Sequence, residues 1–345
     1  MIIMVYISLF MFLFILAFAK GGVNYKIGLL AILITTCLRA QNIGIDTAGG
    51  YSSYFRWINN GSDLSSWLEP GWIVVNKVAI WLGWGYQGVL AIVGLLTIIP
   101  VSYVIKRTCI NKRLSLAVYY GMCYVFISYN LMRQMIAVSF ALLAMYFYIN
   151  KNLKYAIFWL IAGFLFHESI IFIIPVALFL KLDVKYSKVV VLVFISFLCG
   201  ILLSNQFFFI VSGQYAKYLM RPSGFRSSLL KPILFSFLFD IFFLFFIQFR
   251  YEKLRRNPYF LISLLSVLVM NLTMRMAEGT RIVLYFSQAQ MICFPNHLKE
   301  IRSYKNKIIL TLIYIAYLAT NFMRILLGLW ETLNPYNFFW EYLTI

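Results

Sequence analysis

The amino-acid sequence predicts an all-α, polytopic membrane protein. Of 345 residues, 63% are hydrophobic and only 12% are charged, far from the balance of a soluble domain. The apolar residues gather in runs long enough to cross a bilayer, and Lys and Arg stand in short clusters between those runs. That placement accounts for the net charge of +19 without a nucleic-acid partner, because the cytoplasmic loops of membrane proteins collect basic residues. The five cysteines, Cys37, Cys109, Cys123, Cys199 and Cys293, show no CxxC or Cys/His spacing. Neither a disulfide framework nor a metal site is expected from them.

Residues 1–19 form an apolar run with no basic residue before it and Lys20 after it. This is the charge order of a first span with its N-terminus outside, not of a cleaved signal. The run 27–38 reads as a short second span with Arg39 at its outer end. Residues 39–85 read as an outer region. It is polar and without a helix or strand period as far as Leu68. It then continues as the apolar segment Glu69–Trp84, bounded by Pro70 and Gly83 and interrupted by Lys77, which reads as an interfacial or re-entrant helix.

Spans follow over 86–105, 114–129 and 131–150. Residues 155–180 are long enough for one tilted span, but a single crossing would place the basic clusters 181/185/188, 250/253/255/256 and 299/302/305/307 outside. A hairpin of two half-depth helices meeting at His167–Ser169 keeps all eleven of those residues in the cytoplasm. Further spans read over 189–211, 232–249, 258–276, 281–298 and 308–330, with a basic, aromatic outer loop at 212–231. The total is about ten full spans plus the hairpin, in a single integral membrane domain.

Ionisable groups within hydrocarbon are costly and mark function by default. On this topology Arg39, Arg56, Lys77, Arg133, Lys217, Arg221, Arg226, Lys231, Arg275, Arg281 and Arg324 lie on the outer side, against the usual bias. Guanidinium groups match phosphate oxygens in pairs, so an outward group of arginines suits a pyrophosphate. Helical spacing places Asn130, Arg133, Gln134 and Ala137 on one face. It does the same for Asn271, Arg275 and Glu278, and for Glu278, Arg281, Tyr285 and Gln288. The plainer reading of Arg275, Glu278 and Arg281 is mutual neutralisation between helices.

His167 carries an imidazole able to take a proton from a sugar hydroxyl, with Glu168 or Asp46 orienting it or acting instead. The plainer alternatives are a packed His–Glu pair and, for Asp46, a turn residue in NIGIDTAGGY. Tyr51, Tyr54, Trp57, Trp67 and Trp72 suit either stacking on sugar faces or an interfacial aromatic belt. Asp240 reads as a paired intramembrane acid.

Several motifs in order carry a resemblance: Arg39, Gly44 and Asp46 followed by Tyr51 and Tyr54; Glu69, Pro70, Gly71, Asn76 and Lys77; Met132 to Ala137; Phe166, His167 and Ser169; and Arg281, Tyr285 and Phe286. With these the chain resembles the EpsG-like branch of the Wzy-type bacterial polysaccharide polymerases. The resemblance implies a GT-C-like glycosyltransferase of the bacterial inner membrane. It would move a growing glycan from undecaprenyl pyrophosphate onto the next lipid-linked repeat unit at the outer face, without a nucleotide sugar or other cofactor. A chain-length regulator is a possible partner.

In that frame Arg133, Arg281 and Arg39 hold the donor pyrophosphate, His167 or Asp46 accepts the proton, and Glu278 orients Arg281. Tyr51, Tyr54, Glu69, Asn130, Gln134, Arg221, Arg275 and Tyr285 complete the substrate site. The alternative from another class is a transporter of the same lipid-linked sugars, which also wants broken helices and an arginine-lined cavity.

Overall fold

The computed structural model describes residues 3–19, 24–212, 230–276, 279–329, 333 and 336–342. Among these the fold is helical, with an isolated antiparallel bridge between Arg39 and Phe338. Within what the sequence presents as one membrane domain there are two compact units, Met1–Ile171 with Thr311–Ile345, and Phe172–Leu310.

The first unit holds α1 (Ile3–Phe18), α2 (Asn24–Cys37), a π-helical turn (Thr47–Tyr51), α3 (Ser52–Asn59), α4 (Pro70–Trp81) and α5 (Gly85–Thr108). It continues with α6 (Lys112–Gly121), α7 (Tyr124–Asn130), α8 (Met132–Ile149) and α9 (Leu153–Phe164). Beyond its first turn, which carries Arg133 and Gln134, helix α8 is predominantly apolar, and it is almost wholly buried from Met132 to Met145, which makes it the axis of this unit. Ser139 on α8 returns its hydroxyl to its own helix at Met135 O and across to Thr97 O of α5 at 2.8 Å. Polar glue of this kind joins helices that have no hydrophobic drive to associate in lipid.

Three differences from the sequence reading concern this unit. Residues 39–68, expected without regular structure, contain the π-helical turn and α3, an eight-residue helix too short for its period to stand out. Residues 114–129, expected as one span, are two helices parted at Cys123, whose φ of 64° ends α6. Asn130 closes α7, and Leu131, at φ −102° and ψ 50°, separates it from α8. Asn130 therefore does not share a continuous helical face with Arg133 and Gln134.

The 3-10 turn Glu168–Ile173 leads into the second unit, which holds α10 (Val176–Phe179), α11 (Tyr186–Ser212), α12 (Leu230–Ile247), α13 (Tyr251–Leu254), α14 (Pro258–Leu272), α15 (Gly279–Ser287) and α16 (Gln290–Glu300). Helix α14 begins at Pro258 because Asn257 accepts the Tyr259 N–H and the proline ring suits a first helical position. The expected span 281–298 is instead α15 and α16, with a break at Gln288–Ala289. Phe243, Phe246, Phe260 and Phe294 form an aromatic core, with Phe243 stacked on Phe260 at 6.3 Å between centroids.

Asp240, read as a paired intramembrane acid, is buried and accepts hydrogen bonds from the Asn271 amide Nδ2 at 2.9 and 3.2 Å. The basic clusters of this unit are tied to one another: Arg255 pairs with Asp183 at 2.7 Å, Lys253 pairs with Glu300, and Arg250 donates to Glu300 O at 2.8 Å. The chain then runs through α17 (Tyr304–Gly328) to α18 (Phe339–Tyr342).

Among the described residues four helices are long and apolar enough to cross a membrane: α5, α8, α12 and α17. Shorter apolar helices lie at Met4–Phe18, Tyr25–Cys37, Leu153–Phe164, Glu168–Phe179, Tyr186–Leu202 and Pro258–Leu272. Exposed Leu234, Phe237, Leu238, Ile241 and Phe245 make an apolar stripe along α12, the surface expected of a helix that faces lipid.

Candidate functional site

The site is organised by three residues, Glu69, Pro70 and Gly71. Glu69 is in extended conformation at φ −63° and ψ 143°, and Pro70 starts α4, so the carboxylate projects beside the helix start instead of into it. It forms an ion pair with Arg133, which stands in the first turn of α8. Two residues on, Gly71 donates its N–H to Leu165 O at 2.8 Å, just past the end of α9. A side chain at position 71 has no room, since a Cβ would lie 2.7 Å from that same carbonyl oxygen. The glycine thus lets α4 reach the backbone of the segment carrying Phe166 and His167.

Arg133 is held from a second direction. Its guanidinium lies 5.9 Å from the Tyr51 ring centroid, and Tyr51 in turn packs on Trp72 at 4.9 Å. Tyr51, Trp72, Met132, Ile136 and Phe140 belong to one buried cluster, with Tyr54 and Phe166 packed against it. Close packing of these rings and aliphatic chains fixes the pieces that carry the polar groups. Burial raises the Tyr51 phenol above its ordinary pKa; the Arg133 guanidinium opposes that shift and the Asp46 carboxylate reinforces it. Asp46 itself is exposed, at the start of the π-helical turn, and makes no capping bond there.

His167 is half-buried, and its Nδ1 lies 2.7 Å from Ser169 Oγ. The Ser169 backbone N–H also donates to Nδ1, at 3.3 Å. Glu168, between them, is exposed.

The segment that carries Asp46 is pinned to the end of α7. Thr47 Oγ1 donates to Tyr129 O at 2.6 Å, and Tyr86 donates to Thr47 O at 2.9 Å. Gly44, at φ +100°, turns the chain where a side chain would meet Tyr129 O and Asn130 Oδ1. Arg39 is 1% exposed. Its guanidinium lies 4.3 Å from the Tyr129 ring centroid and donates to Thr36 O at 2.8 Å. Burial pulls it below its ordinary pKa. Arg39 therefore sits behind the α7–α8 junction that presents Arg133, not on a surface open to a lipid-borne phosphate.

The first unit thus brings together Asp46, Tyr51, Tyr54, Glu69, Arg133 and the His167 segment, with Gln134 buried on α8. Among the sequence-picked aromatics, Trp72 is buried in the cluster, whereas Trp57 and Trp67 are exposed. In the second unit Arg281 is exposed, Tyr285 is buried on α15, and Arg275 follows the end of α14 and donates to Ile201 O at 3.1 Å. Arg221 and Glu278 lie outside the described residues.

Two partners escaped sequence reasoning. Leu165 acts through its backbone carbonyl, which leaves no mark in residue type, and Thr47 through its hydroxyl and its carbonyl, where a lone threonine beside Asp46 gives no pattern to read.

Compared with known protein families, residues 25–338 match the family described as the EpsG family. The chain belongs to the EpsG family. The match runs through every motif that converges on Arg133, and it makes this EpsG-family chain a multi-pass membrane protein of the polysaccharide-polymerase class. Neither the curated proteins nor the solved structures compared with it include a match.

Proposed function

We propose that this EpsG-family chain is a glycosyltransferase. It moves a growing glycan from undecaprenyl pyrophosphate onto the next lipid-linked repeat unit at the periplasmic face of the bacterial inner membrane. The proposal includes about ten spans, a half-depth hairpin at 155–180 and a GT-C-like arrangement. The observation that carries it is the convergence on Arg133: Glu69 and Tyr51 hold its guanidinium, and Gly71 ties the same short segment to the backbone beside His167.

A positioned guanidinium suits the charge that develops on a departing pyrophosphate, and it does so without a metal. The acceptor hydroxyl oxygen bonds to the anomeric carbon as the carbon–oxygen bond to pyrophosphate breaks, and the configuration inverts. The electron pair leaves with the pyrophosphate oxygen, and the hydroxyl proton passes to Asp46 or His167. Tyr54 and the exposed Trp57 offer ring faces for the sugar. This reading rests on residues of the first unit.

The test uses the purified protein in detergent with lipid-linked repeat units and no membrane potential. A ladder of lengthened glycans supports the polymerase. Unchanged substrate refutes it and moves the reading to transport of the same lipid-linked sugars.

A further inference from the structure

Three segments of the second unit, 181–188, 250–256 and 299–307, carry eleven Lys and Arg against three acids, Asp183, Glu252 and Glu300. Each of those acids is already engaged within the group. Arg255 pairs with Asp183 at 2.7 Å and with Glu252 at 2.8 Å, and Lys253 pairs with Glu300. The Tyr251 hydroxyl donates to Val184 O at 2.6 Å and Arg250 donates to Glu300 O at 2.8 Å, so the three segments form one surface. The acids staple that surface together and leave a surplus of cations on it. Lys181, Lys185, Lys188, Arg256, Lys299 and Arg302 are exposed and make no ion pair among the described residues. Like charges gathered on a fixed frame repel one another, so the surface is completed by an anionic counterpart.

The surroundings select that counterpart. Helix α11 begins at Tyr186, α12 ends at Ile247, α14 begins at Pro258 and α17 begins at Tyr304, so the surface lies where four apolar helices start or stop. Apolar side chains stand exposed among the cations, Leu182 at 46% and Tyr304 at 79%. Long amines beside exposed apolar groups at helix ends match the boundary between hydrocarbon and phosphate layers, where lysine reaches up to the headgroups. A soluble acidic protein would account for the cations and leave Leu182 and Tyr304 unmatched.

We propose that this surface is a binding site for anionic phospholipid headgroups. Lys181, Lys185, Lys188 and Arg256 hold the lipid phosphate, Arg256 with a planar fork and the lysines as point charges, while Leu182 and Tyr304 lie against the first carbons of the acyl chains. The general basic bias of cytoplasmic loops orients a chain during insertion and asks for no fixed arrangement. A stapled surface of this kind binds lipid saturably in the folded protein. The proposal is independent of the glycosyl-transfer reading, and its test involves no turnover.

The full chain is purified in a neutral detergent and its thermal unfolding is followed as phosphatidylglycerol is added. A saturable rise of about 5 °C is expected, against less than about 1 °C with phosphatidylcholine or with glycerol phosphate, which carries the anion without chains. A variant with Lys181→Gln, Lys185→Gln, Lys188→Gln and Arg256→Gln should lose most of the rise. The control, Lys151→Gln with Lys154→Gln, removes two exposed cations of the first unit and should keep it. Should the fourfold variant not fold, the parent decides alone, because about 0.5 M sodium chloride should cut its rise by more than half. No rise with phosphatidylglycerol, an equal rise with phosphatidylcholine or glycerol phosphate, or a rise indifferent to salt overturns the proposal. So does an equal loss in the control, which would reduce the effect to net charge. A rise given by polyglutamate and not by phosphatidylglycerol overturns it in favour of an acidic protein partner.

Discussion

Replacing Gly71 with alanine adds one methyl group at the point where α4 touches the His167 segment. The backbone at Gly71 is not in the left-handed region, so the perturbation is steric rather than conformational. The new Cβ would stand 2.7 Å from Leu165 O and 3.1 Å from Phe166 Cδ2, so relief needs a separation of about 0.7 Å from a carbonyl that does not rotate away. That movement stretches the 2.8 Å Gly71–Leu165 hydrogen bond. Overpacking costs about 1–3 kcal/mol and a lost hydrogen bond about 1 kcal/mol. The expected destabilisation is therefore about 2–4 kcal/mol.

Where the protein still folds, Glu69 and His167 no longer keep their spacing, and a misplacement of this size reduces turnover about 100-fold. Thermal unfolding in detergent reads the first effect and the glycan ladder reads the second. Gly49→Ala is the matched control, because nothing lies within 4 Å of a Cβ there. A Gly71→Ala protein with parental melting temperature and parental ladder would falsify the claim that close approach at Leu165 positions the site.

Glu69→Gln is expected to leave insertion and stability nearly intact, within about 1 kcal/mol, because the ion pair is partly solvated. Its ladder should be lost as Arg133 drifts, and an unchanged ladder refutes the positioning role. Arg133→Lys keeps the charge but loses the planar fork and the contact with Tyr51. Long chains should vanish from it while membrane insertion, checked by fractionation, persists; long chains from this variant remove the bidentate grip from the mechanism. Asp240→Asn exchanges a charge-assisted bond for a neutral one at Asn271, with an expected loss of about 1–2 kcal/mol in thermal unfolding. No loss would mean that the buried carboxylate is not structural.

The long apolar helices were legible because hydrophobicity over 18 or more residues is a strong signal, and α5, α8, α12 and α17 stand where the runs predict them. Breaks inside apolar runs were not. Cys123 turns left-handed between two stretches that are equally hydrophobic, so neither period nor polarity marks the joint. The same blindness put Asn130 on the face of Arg133, since helical spacing counts residues across a break it has no means of detecting.

Candidate site residues stand out in the sequence where they violate hydrophobicity, as Arg133, Glu69 and His167 do. Whether such a residue faces a substrate or the interior is a matter of tertiary packing. Arg39 shows this, lying buried under Tyr129 although its neighbours in sequence are loop-like. Trp72 shows it too, since an aromatic of the outer region became a core residue.

Residues 336–339 meet residues 35–40 through Ala40 N to Asn337 O at 2.8 Å, Phe339 N to Leu38 O at 3.0 Å and Tyr336 Oη to Thr35 O at 2.9 Å. The last described stretch of the polypeptide is thereby sewn to the segment that opens the Asp46 loop, like a drawstring knotted at its beginning. A fusion, epitope or protease cut placed there would slacken the loop from behind, and a drop in sugar transfer caused by such a tag would say nothing about whether the tagged protein had reached its membrane.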